Sequence, residues 1–202
     1  MIAIVDYGVG NLFSLESSFK KVGAETVVTS DKNIIESADK IVLPGVGAFA
    51  DAIAKLSKDG LDAVVKAEAQ KGKPLMGICL GMQMLFERSF EYGEHVGLGL
   101  LKGDVIPMKG YIDEGLKIPH IGWNKLSFVK EHPLFKNCTD GEHVYFVHSF
   151  FATDCSDSLV AVTDYGKPLT AAVAKDNIMG CQFHPEKSGD VGLKILKAFA
   201  DM

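Results

Sequence analysis

The chain has 202 residues, 47% hydrophobic and 23% charged, a balance that suits one domain with its own core and excludes collagen-like or disordered classes. A formal net charge of −5 and an isoelectric point near 5.7 argue against a nucleic-acid footprint, which needs a concentrated basic surface. No apolar run approaches the roughly 18 residues of a membrane span, and the N-terminus lacks the basic start and apolar stretch of a signal peptide, so a single cytoplasmic domain over 1–202 is expected.

The first half alternates short apolar runs with amphipathic stretches, the mark of βαβ units and a parallel sheet. Ile2 to Asp6 reads as a strand. After the turn-like Tyr7-Gly8-Val9-Gly10-Asn11, residues Leu12, Leu15, Phe19 and Val22 recur at helical spacing up to Gly23. Lys40 to Leu43 reads as a strand running into Pro44-Gly45-Val46-Gly47, and Phe49 to Leu56 and Leu61 to Ala69 as helices closed by Gly72. Lys73 to Ile78 has the run of a buried strand, and Leu80 to Phe86 resumes helical spacing at once. From Glu91 to Gly122 glycines are frequent and periodicity is weak, so loops with short strands are expected. Strand-like runs follow at 125–129, 143–148, 159–163, 169–174 and 178–183, and Asp190 to Phe199 reads as a closing helix. The sum is an α/β layer structure, an open and mainly parallel sheet flanked by helices, with an antiparallel-leaning second half.

Gly77-Ile78-Cys79-Leu80-Gly81 falls between the strand and the helix, matching the G-x-nucleophile-x-G elbow with cysteine as nucleophile. Small flanking residues are needed because the turn is sharp. The helix that follows would favour a thiolate at Cys79 and point backbone N–H groups at a developing oxyanion. A buried structural cysteine beside two turn glycines would also satisfy the pentapeptide.

Phe183-His184-Pro185-Glu186 ends the last apolar strand. Proline biases His184 toward an extended conformation, so His184 and Glu186 project to one side. A carboxylate that accepts from one imidazole nitrogen leaves the other free for a nucleophile. Alone, the string is equally a solvated surface turn; its force comes from the elbow. Pro44-Gly45-Val46-Gly47 can supply a second oxyanion donor or can be a plain strand-to-helix turn.

Of six histidines, His95 and His132 sit in polar loop contexts and read as exposed, whereas His120, His143 and His148 are open. None has metal-ligand spacing, so no metal and no cofactor are expected. Cys79, Cys138, Cys155 and Cys181 form no CxxC pair, which leaves a zinc ribbon or thioredoxin-type site without support, and disulfides are not expected in a reducing compartment.

Together the elbow and the C-terminal His-x-Glu resemble the class I (triad) glutamine amidotransferases, in this order and separation and over nearly the whole chain. The resemblance implies a flavodoxin-like α/β sandwich and a triad of Cys79, His184 and Glu186, with an oxyanion hole from Leu80 and from Gly45, Val46 and Gly47. Further strings resemble the glutaminase subunits of imidazole glycerol phosphate synthase within that family. They are Asp6 to Asn11, Pro44 to Phe49, Pro119-His120-Ile121-Gly122-Trp123-Asn124, Tyr145-Phe146-Val147-His148-Ser149 and His184 to Ser188.

That narrower resemblance implies glutamine as substrate, held by Gln83, Glu91, His148, Ser149 and Phe150, although such subunits commonly carry tyrosine at the last position. It also implies a heterodimer with a (βα)8-barrel cyclase that receives the ammonia, through Asn11, Trp123, Tyr145 and Lys187. Trp123 is expected on a loop, since Gly122 precedes it and no core periodicity surrounds it. Competing readings are an amidotransferase serving another synthase, a non-catalytic flavodoxin-like subunit that keeps the elbow as a turn, and a stand-alone cysteine hydrolase.

Overall fold

The computed structural model describes residues 1–202. In chain order the first half is β1 (Ile2–Val5), α1 (Leu12–Lys21), β2 (Thr26–Thr29), α2 (Lys32–Ser37), β3 (Lys40–Gly45), α3 (Phe49–Lys58), α4 (Leu61–Gln70), β4 (Leu75–Cys79) and α5 (Leu80–Met84). Three short strands follow, β5 (Arg88–Ser89), β6 (His95–Val96) and β7 (Asp104–Pro107). Then come β8 (His120–Lys125), β9 (Ser127–Phe128), β10 (His143–His148), β11 (Phe150–Thr153), β12 (Leu159–Asp164), β13 (Pro168–Lys175), β14 (Ile178–Cys181) and α6 (Gly189–Ala200).

The main sheet has the order β2-β1-β3-β4-β14-β13-β12-β9. Its pairings are parallel from β2 through to β14 and antiparallel from β14 to β9. Period-two alternation divides the core into two layers: Ala3 and Val5 of β1 face one way with Phe49, Leu56 and Val65 of α3 and α4, and Ile2 and Ile4 face the other with Phe19 of α1 and Phe199 of α6. Helices cover both faces, which is why the β1 and β4 runs are apolar throughout rather than alternating. Fully burying side chains such as Phe19 and Phe199 is worth about 2–3 kcal/mol each.

Three sequence expectations are corrected. The run expected as one strand over 125–129 is divided. Lys125 ends β8 opposite His143, Leu126 is buried at the corner with its N–H on Glu142, and Ser127 starts β9 opposite Val162 in the main sheet. Trp123 lies in β8 rather than in a loop, because β8 pairs antiparallel with β10 as a two-stranded ribbon outside the main sheet. Only His120 of β8 is buried, so that strand has no core periodicity to read, unlike β10 with its alternating burial. His95 and His132 are half-buried, not exposed, since each ring nitrogen meets the backbone, at Glu91 O and Leu134 N respectively.

Sequence reading also passed over β2 and α2. Both are short, and β2 is a half-buried sheet edge, although Asp31 caps α2 by accepting from Asn33 N at 2.8 Å.

Candidate active site

Cys79 ends β4 and precedes α5 directly, with φ 55° and ψ −113°. Such a torsion pair is costly for a non-glycine residue and is held by its surroundings. The flanking glycines are steric requirements. A Cβ on Gly81 would stand 1.9 Å from the Leu43 carbonyl oxygen, and one on Gly77 would stand 2.7 Å from Gly81 O and Met82 N. The short helix therefore sits tight on β3 and β4, and the sulfur projects where the parallel strands end, the usual place for ligands in open α/β sheets.

The Pro44–Gly47 loop leaves β3 beside it, Gly45 pairing with Cys79. A Cβ on Gly45 would fall 2.7 Å from Gly81 N, and Gly47 has φ +93°. Buried Tyr7, just after β1, donates its hydroxyl to Pro44 O at 2.6 Å and so fixes the start of this loop.

His184 follows β14, its Nδ1 2.8 Å from Glu186 Oε1, with both side chains buried. Its backbone is tied to β10: His184 N donates to Tyr145 O, while Ser188 Oγ donates to His184 O at 2.6 Å and accepts from Tyr145 N at 3.0 Å. Burial alone would push the imidazole pKa down, but contact with the Cys79 sulfur and with Glu186 outweighs it and raises the pKa from 6.5 to about 10. The arrangement holds His184 protonated beside the sulfur. Glu186 Oε2 is buried with no hydrogen-bond partner.

A cleft of about 300 Å³ opens over these groups. It brings together Cys79, His184, Leu80, Val46, Gly47, Gln83, Glu91, His148, Ser149 and Phe150, leaving out only Gly45 and Glu186 among the residues expected to serve catalysis, oxyanion binding and substrate. Glu91 accepts from Phe49 N, capping α3. Sequence reading missed Tyr92 at the rim, which has φ 54° and meets Phe150 edge-on at 6.0 Å. It also missed Gln182, wholly buried below the sulfur. A non-glycine residue with positive φ leaves no mark in sequence, whereas Gln182 was open to question as a polar residue in an apolar strand.

His148 and His120 form a buried pair. His148 Nδ1 lies 2.9 Å from Phe150 O, His148 Nε2 3.1 Å from His120 Nδ1, and His120 Nε2 3.4 Å from Asn124 Nδ2. A carbonyl only accepts, so His148 carries its proton on Nδ1, and His120 then donates from Nδ1. Burial holds both rings neutral, with pKa values lowered to about 4.

On the outer face of the ribbon, Trp123 is 55% exposed and pairs across strands with Tyr145, ring centroids 6.1 Å apart. Lys187 Nζ sits 5.9 Å from the Tyr145 ring centroid. Three of the four residues expected to meet a partner thus form one patch. Asn11 lies at the N-terminus of α1, its side chain capping nothing.

The family model of class-I glutamine amidotransferases matches residues 3–201. A protein of Caldanaerobacter subterraneus subsp. tengcongensis named imidazole glycerol phosphate synthase subunit HisH is 50% identical, over 100% of this chain and 98% of its own. Relatives of the same name from Sulfurimonas denitrificans and Lactococcus lactis subsp. lactis are 52% and 49% identical, covering 98% and 99% of this chain and 97% and 98% of theirs. Among solved structures, one described as a glutamine amidotransferase superposes with a TM-score of 0.77 at 19% identity, over 100% of both chains. PurLQS from Thermotoga maritima gives 0.74 at 22% identity, over 99% of this chain and 97% of the other. At such identities the two structures speak to the fold.

Proposed function

The chain belongs to the class-I glutamine amidotransferases, and from that premise we propose that it is the glutaminase subunit of an imidazole glycerol phosphate synthase, acting in histidine biosynthesis in the cytoplasm as one domain over 1–202. The observation that carries the catalytic reading is the meeting of Cys79 and His184 in one cleft at the strand ends, with buried Glu186 held 2.8 Å behind the imidazole. Relatives half identical over their full length support the choice of synthase.

The Cys79 thiolate attacks the carboxamide carbon of glutamine, and the carbonyl π electrons move onto oxygen. Backbone N–H groups of Leu80 and of the Gly45–Val46–Gly47 loop hold that oxyanion, where losing one donor typically costs about 10²–10³ in rate. His184, protonated and oriented by Glu186, gives its proton to the departing nitrogen, and ammonia leaves as the C–N bond breaks. Water then attacks the glutamyl thioester; His184 takes its proton, the C–S bond breaks, and glutamate departs.

Gln83, Glu91, His148, Ser149 and Phe150 bound the space for the amino-acid moiety of glutamine. The aromatic ring of Phe150 supplies contact area there and no hydroxyl. Ammonia freed into neutral water is protonated and no longer nucleophilic, so a sealed route to an acceptor follows from the chemistry. A (βα)8-barrel cyclase in a heterodimer would receive it and make imidazole glycerol phosphate and an aminoimidazole carboxamide ribotide. The patch of Trp123, Tyr145 and Lys187, with Asn11, would meet that partner.

Complementation tests the reading. The chain should restore growth without histidine to a strain lacking its own glutaminase subunit when a matching cyclase is present, and Cys79→Ala should not. Growth restored equally by the Cys79→Ala chain would remove the catalytic reading.

A further inference from the structure

Below the sulfur lies an unbroken run of amide hydrogen bonds whose direction is fixed from one end. The Phe150 carbonyl accepts from Gln83 Nε2 at 3.1 Å and lies 2.9 Å from His148 Nδ1. A carbonyl can only accept, so the Gln83 side chain must present its NH₂ there, and the same NH₂ donates to Gln182 Oε1 at 3.0 Å. With its oxygen so engaged, Gln182 has only its NH₂ left to face Cys79 Sγ, at 3.8 Å. Gln182 is wholly buried and Gln83 nearly so, so water does not compete for these groups, and a reversed amide would set two oxygens face to face in a dry site.

Resting on the assignment of Cys79 as nucleophile, we propose that Gln182 is a further residue of the catalytic site, donating an N–H to the Cys79 thiolate, and that Gln83 is the positioning residue that prevents the Gln182 amide from turning over. At 3.8 Å the contact is long for a neutral thiol, whereas a hydrogen bond to an ion is the stronger kind and tightens as charge develops. A donor at the sulfur stabilises its charged form over the neutral one. The other ionisable groups that line the cleft or act on the sulfur are His184, His148 on β10, Glu91 and Tyr92, with Tyr7 after β1 and Glu186 behind His184.

The test is the pH dependence of carbamidomethylation of Cys79 by iodoacetamide, followed by peptide mass spectrometry on the full chain. Wild type, Gln182→Met, Gln83→Met and the double variant are compared, each checked for a native melting transition. The expected result is a thiol profile shifted upward by roughly one pH unit in Gln182→Met, which is about tenfold slower labelling on the acid limb. Gln83→Met should shift the same way by a smaller amount and add nothing to Gln182→Met, because it acts only through that amide.

An unshifted profile in a folded Gln182→Met chain, or full additivity of the two shifts, overturns the proposal. If Gln182→Met does not fold, the Gln83→Met profile decides: a shift supports the relay, and a wild-type profile ends it. A wild-type chain whose Cys79 does not react at all would instead sink the nucleophile assignment, so the two failures are distinct.

Discussion

The His184 imidazole and the Glu186 carboxylate meet at 2.8 Å with 3% and 4% of their side-chain surfaces exposed. Surface ion pairs are worth little, but one sealed from water holds its geometry, and removing one partner strands the other. Replacing Glu186 by Gln keeps the shape and removes the charge that selects the His184 tautomer. The expected outcome is a fall in kcat of about 10²–10⁴ with the fold intact, read by steady-state glutaminase assay beside a melting curve. Activity within a factor of two of wild type would show that Glu186 does not orient the base.

Tight packing at the elbow sets the second expectation. Because a Cβ on Gly81 would stand 1.9 Å from the Leu43 carbonyl oxygen, Gly81→Ala must push α5 off β3. Overpacking of this kind costs typically about 1–3 kcal/mol and here should reach or exceed the upper end. Urea denaturation checks it. Gly47→Ala meets no atom within 4 Å and should cost only the strain of a positive φ, on the order of 1 kcal/mol.

Stability should peak near pH 6.5 through opposed histidine effects. His184 has its folded pKa raised to about 10, so its contribution is full below the unfolded value and is lost as pH rises from about 6.5 through 10. His120 and His148 are held near 4; the unfolded chain then binds protons that the native state refuses, and stability falls as pH drops from about 6.5 to 4. Urea midpoints across pH 4–10 read both limbs. His148→Phe should flatten the acid limb and His184→Asn the alkaline one. An acid limb unchanged in His148→Phe would contradict the buried neutral pair.

Trp123 rests on Tyr145 across the ribbon with about half its surface in water. Exposed aromatics of this size are enriched among interface anchors. Trp123→Ala should leave the melting temperature of the isolated chain nearly unchanged and weaken binding of the cyclase by roughly thirtyfold, about 2 kcal/mol, measured by titration calorimetry. A large drop in melting temperature with unaltered affinity would place the ring in the structural economy of the chain instead.

Local signals carried the main sheet and the nucleophile into view. Gly77, Cys79 and Gly81 stand between an apolar run and a helical period, and His184-Pro185-Glu186 is set two residues apart by its own backbone, so each could be read from a few adjacent letters. The relay beneath them could not, because Gln182 meets Cys79 across 103 positions and Gln83 across 99. Strand β8 was obscured for another reason: with Gly122 in its middle and only His120 buried, it has too little apolar alternation to announce a strand, whereas its partner β10 was legible over 143–148.

The central claim is that Cys79 is the nucleophile toward glutamine, and the direct measurement is labelling by a glutamine-derived electrophile such as 6-diazo-5-oxonorleucine, mapped by peptide mass spectrometry in the presence of the cyclase. Cys79 alone opens into the cleft. Burial, then Glu142, pushes the half-buried Cys138 up to about 11, and burial raises Cys155 and Cys181. One adduct per chain at Cys79, prevented by excess glutamine, is the predicted result. An adduct at Cys138, Cys155 or Cys181 with Cys79 unmodified would contradict it.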